Sequence, residues 1–576
     1  MNINENFLTI RDELKKLSAD AILCPMDCSF DNVEVPYSDL YYVSGFTGSN
    51  GRAIISKNDA FISVDGRYTK QVLEQVDTKF WNIEHFPSCR MKDLIEKTMK
   101  RGEKLVVCSL SHSYRTCLEI SYITDMLGIK LQYIKEHPIS SLRLYNKNDD
   151  VKLIIQNKHK IKNRLDIISS DLKKGESILL GDMNTISWIL GIKKTRLGIN
   201  DRSPLARSLL FIMKDKKPLL FCDLEVEENE FFEAHDISNF EMVLNNFQRG
   251  PVQVCFNHVP GYFVFSLENM GFDIHSIEKN YDKYPSIKDP DEIEDQREVA
   301  INTSIIFTKT LAYVKDRVNK GENLHEDDVY NYFIEQGRLM FHDNLVGLSF
   351  NPISAFGKNT SIVHYVSYHG NNSLIKKDGI FLLDAGFHFL NGTSDLTRCM
   401  SLFDNPDPKI IENYTIILKA FISYSNCVFK NNIKACQLDT ICRHELWKNG
   451  MDYPFGTGHG VGYYSIVHEY PRISQNSNDN IQENMISTVE PGYYNDEYGL
   501  RIENMLLTRK KNDDLLYFET LSYIPFDMHI IDINKLNDEQ KDWLNKYNLT
   551  IREKILPYFK NDEITYNWIM ENTIQI

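Results

Sequence analysis

No stretch of this chain is apolar for long enough to suggest a membrane helix. There is no basic cluster either. Acidic side chains outnumber basic ones 80 to 65, a net charge of −15, which argues against general nucleic-acid binding. The N-terminal MNINENFLTIRDELKKL is charged and amphipathic and lacks the apolar core of a secretion signal. Close cysteine pairs are also missing. The eleven cysteines are scattered from Cys24 to Cys442, and Cys24-Pro-Met-Asp-Cys28 is spaced too widely for a redox CxxC. Reduced thiols and a cytoplasmic location are therefore expected.

What remains is the composition of a globular protein, 42% hydrophobic and 25% charged over 576 residues, long enough for three or four domains. The first half repeats an architecture. A helix leads into the buried strand Ala21-Ile22-Leu23-Cys24, the block Tyr41 to Phe46, and the hairpin RAIISKNDAFISVD ending at Asp65. The same order returns in DIISSDLKK, Ser177 to Leu180, Ser187 to Ile192, and the hairpin SLLFIMKDKKPLLFCD ending at Asp223. Each copy reads as a small α/β unit. Polar residues Tyr145 to Asp150 suit the junction between them, and the proline- and charge-rich Pro285 to Glu292 marks a second boundary. Beyond it, Ile293 to Val318 reads as helix, followed by an α+β region dense in hairpin signals. A last helix carries a Trp543/Leu544/Tyr547 stripe, read as packing rather than cofactor binding.

The chemistry concentrates in that last region. Ile380 to Met400 reads as a hairpin turning at Asn391-Gly392, with Asp384 and Asp395 each standing in an apolar run. An ionised Asp buried without a partner is costly, so a shared face needs something positive between them. A two-residue Asn-Gly turn sets Asp395 opposite His388, which offsets the aspartates by roughly 13 Å along the strand. A wider loop centred between Phe389 and Leu390 sets Asp384 opposite Asp395. The second register is the one expected here, because it lets both share an ion.

Three more elements accompany the hairpin: a glycine-dense loop, Phe455-Gly-Thr-Gly-His459-Gly-Val-Gly462; Glu490 at a strand end before Pro491-Gly492; and Glu503 opening the strand MLLT. The glycines do not follow a strand in the dinucleotide pattern; they are expected to let the backbone pass close to a metal or peptide. Taken singly, each residue has an ordinary structural explanation. Together, four carboxylates and one imidazole in apolar or glycine settings suit Mn²⁺, and also tolerate Zn²⁺ or Co²⁺. That much negative charge makes two divalent ions the natural count.

Asp384, Asp395, His459, Glu490 and Glu503, in this order and in the contexts DAGFHFLNGTSDLTR, GTGHGVG, VHEYP, EPGYY and RIEN, resemble the five ligands of the pita-bread metallopeptidases. Those motifs, with YYVSGFTGSNGRAIIS and VDGRY near the N-terminus, are similar to aminopeptidase P in its long, three-domain cytosolic form. The resemblance implies two creatinase-like α/β domains, 1–147 and 148–287, then a pita-bread catalytic domain with a helical extension, 288–576. It implies removal of the N-terminal residue from peptides with proline second, by a hydroxide held between two metals. Asp395 and Glu503 would bridge the ions, Asp384 would chelate one, and His459 and Glu490 would complete the other. Glu490 is also the implied proton shuttle. His364 and His468 would contact the substrate and steady its intermediate, and Tyr494 and Arg501 would shape the site around proline. Such proteins are commonly homodimers. One position departs from the pattern: Phe455 stands where the family usually has histidine. It keeps an apolar wall but loses a hydrogen-bonding, titratable group, so altered preference around proline is expected with the metal site unaffected. A prolidase-like Xaa-Pro dipeptidase and a non-catalytic pita-bread scaffold are the alternatives.

Overall fold

The computed structural model describes residues 3–25, 39–48, 50–85, 88–139, 151–197, 201–214, 216–277, 279, 281–367 and 372–576. The chain divides into two units, Met1–Tyr281 and Asp282–Ile576. The expected junction at 145–150 and Cys28 lie outside the described residues.

The first unit holds two six-stranded sheets of one topology. In the first sheet, Ala21–Pro25 lies between Gly51–Ser56, antiparallel, and Lys104–Cys108, parallel. Ala60–Val64 completes the antiparallel hairpin, and the parallel strands Asn82–His85 and Lys130–Ile134 form the edges. In the second, Ser177–Leu180 takes the place of Ala21–Pro25, with Ser208–Met213 and Leu219–Cys222 as its hairpin. Pro251–Val254 is its parallel neighbour, and Glu233–Asp236 and Asp273–Ser276 are the edges. The central strands AILC and SILL are buried along nearly their whole length, as strands covered on both faces must be.

The second unit opens with the helix Pro290–Asn319, set by the sequence that marks the boundary. Pro290 takes the first helical position, and Glu292 reaches back to accept from the Asp289 N–H at 3.1 Å. The helix packs on the hairpin side of the unit: Phe307 meets Phe333 of helix Glu326–Phe341, and Phe333 stacks on Phe387 at 4.6 Å. A six-stranded sheet, ordered Val428–Lys430, Leu515–Thr520, Asn504–Lys510, Ile486–Val489, Gly458–Gly460 and Glu469–Ile473, carries the other half of the site. All its neighbouring strands pair antiparallel. The helix Asp538–Lys554, followed by the short last helix Glu563–Asn572, buries Leu544 and Tyr547, and Trp543 stacks on Tyr547 at 5.1 Å. The stripe is core.

Two expectations are corrected here. Neither hairpin register holds. Ile380–Ala385 pairs with Leu396–Ser401 so that Asp384 faces Thr397, and beyond a break Phe389 faces Gly392. The turn is therefore Leu390-Asn391, and Asp395 stands across from Gly386, diagonal to Asp384 on the same face. A distant contact displaces the turn. The Gln296 amide pairs with both Thr393 backbone groups, at 2.7 and 3.2 Å, and its Oε1 lies 1.9 Å from where a Gly392 Cβ would be. Gly392 is thus needed in the strand, not at the apex. The second correction concerns His459, which lies in the short strand Gly458–Gly460 rather than a loop. A Cβ at Gly460 would meet the Tyr470 carbonyl at 2.0 Å, so this glycine admits a neighbouring strand.

Candidate metal centre

Hydrogen bonds between elements bring the carboxylates together. The Glu503 N–H donates to the Thr397 carbonyl at 3.1 Å, and Thr397 Oγ1 donates to Glu503 Oε2 at 2.8 Å. This fastens Glu503 to the aspartate hairpin. Across the six-stranded sheet, the Glu490 N–H donates to the Thr457 carbonyl at 2.8 Å, and the His459 N–H to Thr488 Oγ1 at 3.2 Å. Ligand atoms of Asp384, Asp395 and Glu503 lie within 4.8 Å of one another; so do those of His459, Glu490 and Glu503, and those of Asp395, His459 and His468. All five residues singled out as ligands therefore converge, with Glu503 common to two groups.

The electrostatics of this cluster lack a counter-charge. Asp384 and Asp395 are 8% and 4% exposed and Glu503 2%. Burial first, then Asp384 and Glu490, pushes the Asp395 carboxyl far above the carboxylate range. Burial and then Asp395 do the same to Glu503. Glu490 is raised to about 8 by burial and by Glu503. Among the described residues, the cation that faces them is Arg501. Burial alone would lower the pKa of Arg501, but Tyr494, Asp384, Glu490 and Glu503 outweigh it and hold it above its ordinary value. Arg501 ion-pairs with Asp384 and donates to the Tyr494 hydroxyl. One guanidinium cannot offset four carboxyl groups once they ionise, and Asp384 Oδ1 is buried with no hydrogen-bond partner. Divalent cations fit that deficit, and the oxygen-rich donor set with imidazole suits them. His459 is set to join: its Nδ1–H donates to the Gly460 carbonyl at 3.0 Å, leaving Nε2 at 3.4 Å from Asp395 Oδ2 and 3.6 Å from Glu490 Oε1.

The remaining singled-out residues border this centre. The His468 ring lies 4.2 Å from that of His459. Phe455 and Tyr494, both half-buried, meet edge to face at 5.7 Å, an apolar wall beside Arg501. His364 follows Val363, whose carbonyl accepts from Arg501 Nη1 at 3.5 Å.

Several supporting residues escaped the sequence reading. Thr397 shares a face with Asp395 by strand alternation, a signal that was available. Arg398, fully buried, donates to the Glu503 carbonyl at 2.7 Å, to Asn504 Oδ1 at 2.7 Å and to the Tyr547 hydroxyl at 2.8 Å. Arg443 donates to Asp439 and to the carbonyls of Tyr453 and Phe455, while Thr457 Oγ1 donates to Asp439 at 2.7 Å. That network holds the segment leading to His459. Its signal was an Asp/Arg pair four apart on one helix.

This fold and this cluster define a pita-bread metallopeptidase with a creatinase-type N-terminal region. Residues 294–510 match the model of metallopeptidase family M24, residues 514–576 that of the C-terminal region of peptidase M24, and residues 8–125 that of the creatinase/prolidase N-terminal domain. By these matches the chain carries an M24 metallopeptidase domain with its C-terminal region, behind a creatinase-type N-terminal domain. It is 27% identical over 614 residues to a Talaromyces stipitatus protein named "Probable Xaa-Pro aminopeptidase P", covering 100% of this chain and 92% of the relative. A Paracoccidioides brasiliensis protein of the same name is 27% identical over 634 residues, covering 100% and 99%. The crystal structure of X-prolyl aminopeptidase from Caenorhabditis elegans, described as a cytosolic enzyme with a di-nuclear active site, superposes with a TM-score of 0.90 at 22% identity over 100% of both chains. The fold is shared end to end. Among the described residues no helix is long and apolar enough to cross a membrane.

Proposed function

We propose that this chain is an Xaa-Pro aminopeptidase acting on peptides with proline in second position. The convergence of Asp384, Asp395, His459, Glu490 and Glu503 on one buried point carries the reading. These five would hold two divalent ions, Mn²⁺ first among them for an oxygen-rich set, which when bound polarise a carbonyl and acidify water. The protein's own groups do the rest. Glu490, converging with His459 and Glu503, takes and returns the proton of the attacking water. His364 and His468 contact the substrate and steady its tetrahedral intermediate. Arg501 offsets charge at Asp384 and orients Tyr494.

A bond to proline nitrogen is a tertiary amide with no N–H to donate. Selection therefore rests on an apolar recess for the ring, which the Phe455–Tyr494 pair supplies. Phe455 in place of histidine removes a titratable group from that wall. Replacing Phe455 with His should change KM for Xaa-Pro peptides and leave metal content unaltered.

The matching strand orders of the two first-unit sheets support two duplicated domains, 1–147 and 148–287, ahead of the catalytic domain 288–576. A cytoplasmic homodimer completes the proposal. The test is hydrolysis of Xaa-Pro-Xaa peptides of several lengths after chelation and add-back of single ions. Proline-dependent release of the first residue, restored by Mn²⁺, supports it. Cleavage of dipeptides alone makes the chain a dipeptidase, and no bound metal with no cleavage makes it a scaffold.

A further inference from the structure

Glu326 is a carboxylate that the metal centre does not use. It begins the helix Glu326–Phe341 and is fully buried. Its Oε1 accepts from the Phe356 N–H at 2.6 Å and from Asn359 Nδ2 at 3.0 Å; its Oε2 accepts from the Tyr365 hydroxyl at 2.7 Å and the Ser373 N–H at 2.8 Å. Four donors from separate stretches thus aim at one side chain. An acceptor-only group is required, which an ionised carboxylate is and an amide is not. Burial raises its pKa, and these donors pull it back.

The placement gives this network more than a stapling role. Tyr365 is 2% exposed and directly follows His364. On the other side of His364, the Val363 carbonyl accepts from Arg501, which ion-pairs with Asp384. His364 therefore hangs between two anchors: Glu326 through Tyr365, and the metal centre through Arg501. The first anchor reaches back to the strand Ile353–Phe356, where Phe356 is bound. Neither neighbour can turn without losing a buried hydrogen bond.

We propose that Glu326 is a positioning residue which, through the Tyr365 hydroxyl, holds the His364 imidazole in its working orientation. The proposal rests on the reading that His364 contacts substrate. Tyr365→Phe tests it with the least disturbance, since the ring stays and only the hydroxyl goes. On the full chain with metal restored, kcat for an Xaa-Pro-Xaa peptide should fall about tenfold, as expected for a slightly misaimed group, with KM and metal content unchanged. In a His364→Ala background the same substitution should cost nothing further, because its effect travels through that imidazole. Glu326→Gln should lose more than Tyr365→Phe and less than Glu326→Ala.

A second readout needs no activity. In metal-free protein the His364 imidazole NMR signals, assigned by their loss in His364→Ala, should shift in Tyr365→Phe. An unmoved signal, an undiminished kcat, or losses that add in the double variant would each overturn the proposal. If the signal moves while His364→Ala hydrolyses peptide normally, positioning stands and the substrate role of His364 falls.

Discussion

Both units bury titratable groups, and they treat them in opposite ways. In the first, Cys24 Sγ lies 3.2 Å from His137 Nε2, while the Ile139 N–H donates to His137 Nδ1 at 3.3 Å. The ring proton therefore sits on Nε2 and meets the thiol. Burial, with lesser contributions from Asp39 and Cys108, pushes the Cys24 thiol far up, and burial takes His112 down to about 4. Burial holds Cys24 and His112 neutral, and both draw hydrogen bonds from the protein itself, His112 Nδ1 donating to the Cys108 carbonyl at 2.7 Å although its Nε2 has no partner. In the second unit the buried groups are carboxylates pressed together, with one oxygen lacking any partner. Equal burial thus yields a closed core in one place and an unmet demand for charge in the other. Only the second arrangement calls for a ligand.

Asp395→Asn should break the contrast most sharply. Activity should drop at least about 10³-fold, the several kcal/mol that a metal Lewis acid supplies. Metal content, measured by atomic absorption, should fall with it. Yet the metal-free variant should melt no lower than the metal-free parent, since a repelling carboxylate has gone. A lower melting point would show that the cluster is structural like the first unit's pairs.

Arg443→Lys comes next. Lysine keeps a cation beside Asp439 but cannot also reach the Tyr453 and Phe455 carbonyls, so roughly a tenfold rise in KM is expected from the displaced segment. Steady-state kinetics on one Xaa-Pro peptide would check it.

The pH dependence is gentler. Glu490 in the folded protein is raised to about 8, by burial before Glu503. A raised carboxyl contributes stability at low pH that is lost as pH climbs through the folded value. The metal-free chain should therefore lose stability progressively from about pH 4.5, the ordinary carboxyl value, to about pH 8, the folded one, seen as a falling melting temperature by scanning calorimetry. Added Mn²⁺ should stabilise more at the upper end, because its ligands must shed protons.

The smallest effect belongs to the first unit. Cys24→Ala leaves a ring N–H unmatched and should cost about 1–3 kcal/mol in denaturant unfolding, with kcat and metal content untouched. A loss of metal there would erase the contrast.

How much of this was legible in the sequence depended on distance along the chain. The duplicated strand–helix–hairpin order is local and was visible; the parallel partners Lys104–Cys108 and Pro251–Val254, arriving after crossovers, were not. Asp384, Asp395, Glu490 and Glu503 stood out because carboxylates interrupt apolar runs. The hairpin register did not, because Gln296, far upstream, claims Gly392 for the strand and shifts the apex to Leu390-Asn391. Arg398 was invisible, since its acceptors are mostly backbone carbonyls that any sequence would offer, whereas Arg443 had a local signal in Asp439, four residues before it on one helix.

Arg398 has a consequence for how this protein tolerates being cut. One guanidinium touches the carbonyl of Glu503 and the hydroxyl of Tyr547, and Tyr547 belongs to the C-terminal helix pair, on Asp538–Lys554. The tail is thus wired to the backbone beneath a carboxylate of the metal cluster. Proteolysis ahead of Asn537, however distant from the chemistry it looks on a linear map, would leave a buried arginine without its outer partner. Such a clipped chain should stay folded in its first unit and release its metal.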